Sequence, residues 1–194
     1  MKLTDVVEIQ PGTVLARVKS KGYEESVSLP IVGLDDIRCF VERKEPVSER
    51  RKYSFPKDAV DSLITAKTND VIFGMSSSKC LLVDSKLEGF VIPSILCRLR
   101  PYDSNRLNPS YLCFLLNEKE TIRKPLEIAH QGTILTVKVV SVGALRDLEI
   151  GDLPDIERQR KIGDLYLSAL KSYELSQRIS EKTRELTIRL MQKD

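Results

Sequence analysis

The sequence predicts an α+β protein: one mixed α/β domain over residues 1–152, followed by a long C-terminal coiled-coil helix over residues 153–194. Three observations predict it. Short β-branched and aromatic runs, bounded by Gly, Pro and Asn, recur through the first part. Residues 154–193 hold one glycine and, after Pro154, no proline. The 194 residues are 41% hydrophobic and 30% charged, enough apolar material for a core with a solvated surface.

The elements follow in order. Asp5–Gln10 is a partly alternating apolar stretch stopped by the turn pair Pro11-Gly12. Val71-Ile72-Phe73-Gly74 and Gly89-Phe90-Val91-Ile92 are short and closed by turn residues, as strands are. Leu96-Cys97-Arg98-Leu99-Arg100 alternates in part and meets Pro101, which predicts another strand. Pro109–Asn117 reads as a short buried helix, with Asn108 as its cap and Pro109 in the first helical position, where a missing N–H costs nothing. Ile134–Val140 is a further strand candidate. The order of strands is not readable from these patterns.

At the C-terminal helix, Asp152, Asp155 and Glu157 place negative charge where the helix dipole favours it. About 40 residues at 1.5 Å each make a rod of roughly 60 Å. Ile162, Tyr166, Ala169, Tyr173, Ser176, Ile179, Thr183, Leu186 and Leu190 recur at near-heptad spacing, a coiled-coil stripe diluted by Ser176 and Thr183. Leu165, Leu170 and Leu175 flank it. Much of such a rod overhangs a domain of about 150 residues, whose radius of gyration is roughly 15 Å. A partner helix is therefore expected to cover Ile162, Tyr166, Ala169, Tyr173, Ile179, Leu186 and Leu190.

The composition narrows the function. Lysine and arginine number 31 against 28 acids, a net charge of +3, which excludes a uniformly basic chain and leaves room for a local basic surface. The single histidine, His130, has no Ser or Cys arranged around it as a nucleophile. The four cysteines Cys39, Cys80, Cys97 and Cys113 form no Cys-x-x-Cys pair, so neither a metal site nor a disulfide framework is expected, and Cys97 and Cys113 read as small core residues. No phosphate-cradling glycine loop occurs. No catalytic residue, metal or cofactor is assigned. No apolar run approaches the length of a membrane span, and Asp5 interrupts the N-terminus before any signal-peptide core, so a reducing cytoplasm is the expected compartment. The chain looks built to bind.

A polyanion is the expected ligand of the segment Arg38–Lys57. Arg38, Arg43, Lys44, Arg50, Arg51, Lys52 and Lys57 outnumber Glu42, Glu45 and Glu49 by four within twenty residues, more than the surplus of the whole chain. Pro46, Ser48, Tyr53, Ser54 and Pro56 are interleaved, which predicts a loop offering aromatic and hydroxyl groups. Lysine and arginine neutralise phosphates, and arginine also reads guanine edges. A solvated charged loop is the competing reading. Lys19, Lys21, Ser77, Lys79 and Gln131 are further candidates, each on a polar segment of ordinary composition.

The order of these segments resembles one half of the DNA specificity (S) subunit of type I restriction-modification systems, with one target recognition domain and one spacer helix. Leu3–Gly12 looks like the opening strand and turn of that family, and Asn69–Phe73 like its next strand motif. Gly89–Ile92 and Leu96–Pro101 look like its central strands, and Leu107–Asn117 is similar to its Tyr-Leu helix. Gln131-Gly132-Thr133 is similar to its Gln-Gly-Thr turn, and Leu153–Ile162 to the start of its spacer helix. The chain departs from that last motif in having one proline, Pro154, where two are usual, and in placing Arg158 between Glu157 and Gln159.

The resemblance implies a non-catalytic reader of double-stranded DNA. It also implies separate methyltransferase (modification) and restriction subunits as partners, and two spacer helices packed antiparallel. A chain with one such unit restores that arrangement as a homodimer on an inverted-repeat target. The alternative is a coiled-coil adaptor or regulatory fragment that pairs with other restriction-modification subunits without reading DNA. A small nuclease is a third class, with nothing in the residues pointing to it.

Overall fold

In the computed structural model, described for residues 1–18, 25–43, 50–131 and 139–192, the central element is a four-stranded antiparallel sheet. Its strands are β1 (Val7–Pro11), β4 (Val71–Gly74), β5 (Lys79–Leu82) and β6 (Leu96–Pro101), in the order β1-β6-β4-β5. A second, two-stranded sheet pairs β2 (Ser26–Pro30) with β3 (Lys52–Pro56). The helices are α1 (Leu34–Glu42), α2 (Pro109–Glu118), α3 (Glu120–Gln131), α4 (Val142–Arg146) and α5 (Ile156–Met191).

Period-two alternation sends the sheet's side chains to two cores. Val7, Val71, Phe73, Cys80, Cys97 and Leu99 point to one face and pack with Leu112, Leu115 and Leu116 of α2. Ile72, Leu81 and Leu96 point to the other and pack with Ile37 of α1. Where this second face runs out under β1 and β6 it becomes polar. Arg100 holds the fully buried Asp70 through two bonds of 2.6 and 2.8 Å, and Arg98 bonds Gln10 and the carbonyl of Thr65. A buried carboxylate is tolerable only with such pairing.

The expected helix at Pro109 is present, and the Asn108 side chain accepts from the Tyr111 N–H at 3.0 Å, as an N-cap does. Strands over 71–74 and 96–101 form as expected. The segment Gly89–Ile92 makes no ladder. It is an extended tie, with Val91 bridging to Ile31 on one side and Thr65 on the other. Gly89 at φ +81° and Pro93 cut it too short for a ladder. At the N-terminus the first residues form a 3₁₀ turn, Leu3–Asp5, and the strand begins only at Val7. The expected strand Ile134–Val140 lies outside the described residues except for its last two.

One expectation is corrected outright. Arg38–Lys57 is not one loop. Arg38–Glu42 is the second half of α1, whose Leu34, Ile37 and Val41 recur at helical spacing over the second core. Lys52–Pro56 is β3, where Phe55 is buried and Tyr53 packs beside it, 5.3 Å between ring centroids. Burial of one apolar face outweighed the loop-like composition in both places.

α5 is capped by Asp155, which accepts from the Arg158 N–H at 2.9 Å. Its first turns lie on α2. Gln159, almost fully buried, accepts from the Asn108 N–H and donates to the carbonyls of Arg106 and Pro154. Gly163 meets α2 so closely that a Cβ there would stand 2.7 Å from Ser110 Cβ and 2.9 Å from the Tyr111 nitrogen. The Tyr166 hydroxyl accepts from Asn117 Nδ2 at 3.0 Å, and its ring meets Phe114 edge-on at 5.9 Å. Asn117 also bonds the Cys80 N–H and carbonyl, so one buried amide ties α5 and α2 to β5.

Candidate nucleic-acid interface

The basic residues near α1 are brought together in part. Arg43 closes α1 in the left-handed conformation, φ +54°, with its guanidinium 4.8 Å over the Phe40 ring. Its Nε is buried and makes no hydrogen bond. Arg50 lies 3.5 Å from Asp36 and 4.9 Å over the Phe90 ring, so its charge is partly engaged by the chain itself. Both arginines line a cleft of about 230 Å³, with Cys39, Asp84 and Lys86 at its sides and Glu174 and Arg178 of α5 at its edge.

Arg50 and Arg51 line a larger cleft of about 680 Å³ beside it, between the start of α1, residues 14–16 and residues 93–95. Arg51 is exposed and forms no ion pair among the described residues. Lys52, also exposed, opens β3 opposite Pro30. Arg43, Arg50, Arg51 and Lys52 thus form one neighbourhood. Lys44, Lys19 and Lys21 lie outside the described residues.

Of the weaker candidates, Lys79 is engaged within the chain. Lys79 begins β5 and donates to the Asn117 carbonyl at 2.8 Å, where it neutralises the C-terminal end of α2. Half-buried there, it is held below the usual lysine range by desolvation and by Arg123. Ser77 sits exposed in the turn between β4 and β5, 3.4 Å from the Gly74 carbonyl. Gln131 is the last residue of α3, so the expected Gln-Gly-Thr turn begins inside a helix; the side chains of Gln131 and His130, and residues 132–133, lie outside the described residues.

The apolar stripe on α5 also needs correction. Ile162 and Tyr166 do not face outward. They pack against the domain's own core, and Tyr166 is 8% exposed. Burial pushes its hydroxyl far above the ordinary tyrosine range. Ala169, Tyr173, Ile179, Leu186 and Leu190 are exposed as expected. With the domain-facing residues removed, a more regular seam remains. Leu165, Ala169, Ser172, Ser176, Ile179, Thr183, Leu186 and Leu190 are all exposed and follow one another at alternating steps of four and three. By spacing alone Leu165 flanks the stripe, because sequence period cannot separate two stripes on one helix.

Two sequence features were missed. Val14 and Ile95 stand exposed at the larger cleft, 40% and 52% accessible. Nothing in a sequence marks a loop valine or isoleucine as outward-facing, so no pattern could have found them.

Comparison with solved structures places this architecture. The chain superposes over its whole length on the HsdS subunit from Thermoanaerobacter tengcongensis, with a TM-score of 0.62, 15% sequence identity and 47% of that chain covered. The fold is that of an HsdS half. A second match, again over the whole chain, is to a structure on complex assembly and conformational transition of the type I R-M system, with a TM-score of 0.64, 19% identity and 47% of that chain covered. This chain therefore spans about half the length of the HsdS-type chains it matches. No family model and no curated protein matches its sequence. Among the described residues, no helix is long and apolar enough to cross a membrane.

Proposed function

We propose that the chain reads duplex DNA as a specificity half-unit of a type I restriction-modification system in the cytoplasm. Residues 1–152 are the target recognition domain and residues 153–194 the spacer and pairing helix. The observation that carries this reading is the match of the entire chain to one half of HsdS. The chain performs no chemistry itself, and modification and restriction subunits act on the DNA it selects. Arg43, Arg51 and Lys52 steer phosphates, with Arg50 as a partly engaged fourth cation and Lys44, Lys19, Lys21, Ser77 and Gln131 as secondary contacts. Lys79 is left with a structural role.

Two copies pair antiparallel through the exposed seam Leu165–Leu190. The dyad of such a pair falls between residues 177 and 178, about 17 Å along the axis from Tyr166 at 1.5 Å per residue. The two domains then stand about 35 Å apart, close to one turn of B-DNA, so both half-sites face the same side of the duplex. The test is light scattering of the intact chain beside the double variant Ile179→Glu, Leu186→Glu. A mass near 44 kDa, twice the 22.0 kDa chain, that falls to one chain in the variant supports the pairing. Selection from random duplexes then returns an inverted repeat. A monomer in both samples refutes the homodimer.

The adaptor reading draws on the internal engagement of Arg50 and Lys79, which leaves fewer free cations than the sequence suggested. Retained pairing with no preference among duplexes would establish it.

A further inference from the structure

We infer that Val14 and Ile95 form an apolar reader of a thymine methyl group at one position of the DNA target. The inference rests on the DNA-reading function proposed above and names the base chemistry of that same surface.

Both residues sit next to a backbone clasp that cannot yield. A Cβ on Gly12 would stand 2.3 Å from the Pro93 oxygen and 2.5 Å from that of Ile92, so the two segments touch main chain to main chain. The Thr13 N–H donates to Ile92 at 2.7 Å, and the Ser94 N–H donates back to Thr13 at 2.8 Å. The Met75 N–H donates to the Ile95 carbonyl, and the Thr13 hydroxyl accepts from the Ile64 N–H. The next residue outward on each segment is apolar and exposed. A backbone held this way fixes where each side chain leaves the surface, and covering the exposed apolar area is favourable.

The surroundings fit DNA. Asp35 and Asp36, the acids lining the cleft, are neutralised within the chain, Asp35 by Arg38 at 3.3 Å and Asp36 by the Gly33 N–H and Arg50. Arg51 remains at the rim with no carboxylate among the described residues, and Ser94 adds a hydroxyl. A cation for phosphate beside a small apolar patch matches the major-groove edge of thymine, whose 5-methyl is the one apolar group exposed there by the four bases.

The experiment uses the intact chain. A preferred duplex is selected from a random pool, and each thymine in it is replaced in turn by uracil, which removes only the methyl. One position should weaken wild-type binding about four-fold, the worth of one buried methyl group. Ile95→Ala should lose a similar factor on the parent duplex and show no further loss at that uracil. Val14→Ala should repeat the pattern in weaker form. Both variants change exposed side chains, and unchanged melting temperatures confirm that the fold is intact. If every uracil duplex affects wild type and Ile95→Ala alike, the inference is overturned while the DNA-reading function stands. An even loss across all sequences in Ile95→Ala also overturns it and assigns the residue to the sugar-phosphate backbone. If the wild-type chain prefers no duplex, the DNA-reading function and this inference fall together.

Discussion

Replacing Gly163 by alanine sets two known effects against each other at a single atom. Glycine inside a helix costs about 1 kcal/mol relative to alanine, so on propensity alone Gly163→Ala should stabilise α5. The structure puts Ser110 Cβ and the Tyr111 nitrogen within 2.9 Å of the added carbon. The second of these is α2 backbone, fixed by its own helix and by the Asn108 cap, and cannot turn aside. α5 must therefore retreat by several tenths of an ångström. That retreat stretches the Tyr166–Asn117 bond, now 3.0 Å, and the three bonds of Gln159. Overpacking costs about 1–3 kcal/mol, and weakening buried hydrogen bonds adds to it. The net expectation is a loss of about 1–3 kcal/mol. Urea unfolding at neutral pH measures it, with Ser168→Ala on the exposed face as the propensity control. A Gly163→Ala protein as stable as wild type, or more so, would show that α5 does not rest on α2 as described.

Other predictions test separate parts of the chain. Asp70→Asn leaves Arg100 without its carboxylate and should cost about 2–3 kcal/mol, below the usual price of a broken buried pair because Arg100 is one-third exposed; the urea midpoint reads it. Burial raises the Cys97 thiol from 9.0 to about 11, so its stabilising contribution is complete below pH 9 and is lost as pH climbs toward 11. Stability measured at pH 8 and pH 10.5 should therefore fall, and Cys97→Ala should flatten that fall by up to about 2 kcal/mol. Inserting one heptad after Ile179 should move the domains of an antiparallel pair about 10 Å further apart, widening the selected half-site spacing by about three base pairs. An unchanged spacing would mean that the helix does not set it.

Parts of this molecule were legible because local chemistry and tertiary need agree. Asn108-Pro109 starts a helix by capping and by proline's fixed φ, whatever it later packs against. Val71–Gly74 is apolar on both faces because the sheet carries a core on each, and a short apolar run reads as a strand. α1 and β3 were obscured because arginines and glutamates on their solvent sides dominate the composition of Arg38–Lys57, while the burial that holds them is supplied by distant residues such as Leu81 and Val91. The candidate site was legible as a cluster of charge, but not in which charges are free. Arg50 and Lys79 look like any other exposed cations until Asp36, Phe90 and the Asn117 carbonyl are brought beside them.

The sequence by itself determined that a long helix with acids at its start follows a mixed domain, and that this helix carries more apolar surface than one face needs. It also determined that Cys97 and Cys113 are small core residues. These are properties of period, cap and composition, which are local. Only the tertiary structure decided which α5 residues meet the domain and which form the exposed seam. A 3.6-residue period defines a face but not the neighbour that covers it. Gln159, Gly163 and Tyr166 are claimed by α2 through contacts more than forty residues away in the chain. The seam at Leu165–Leu190 is what that claim leaves open.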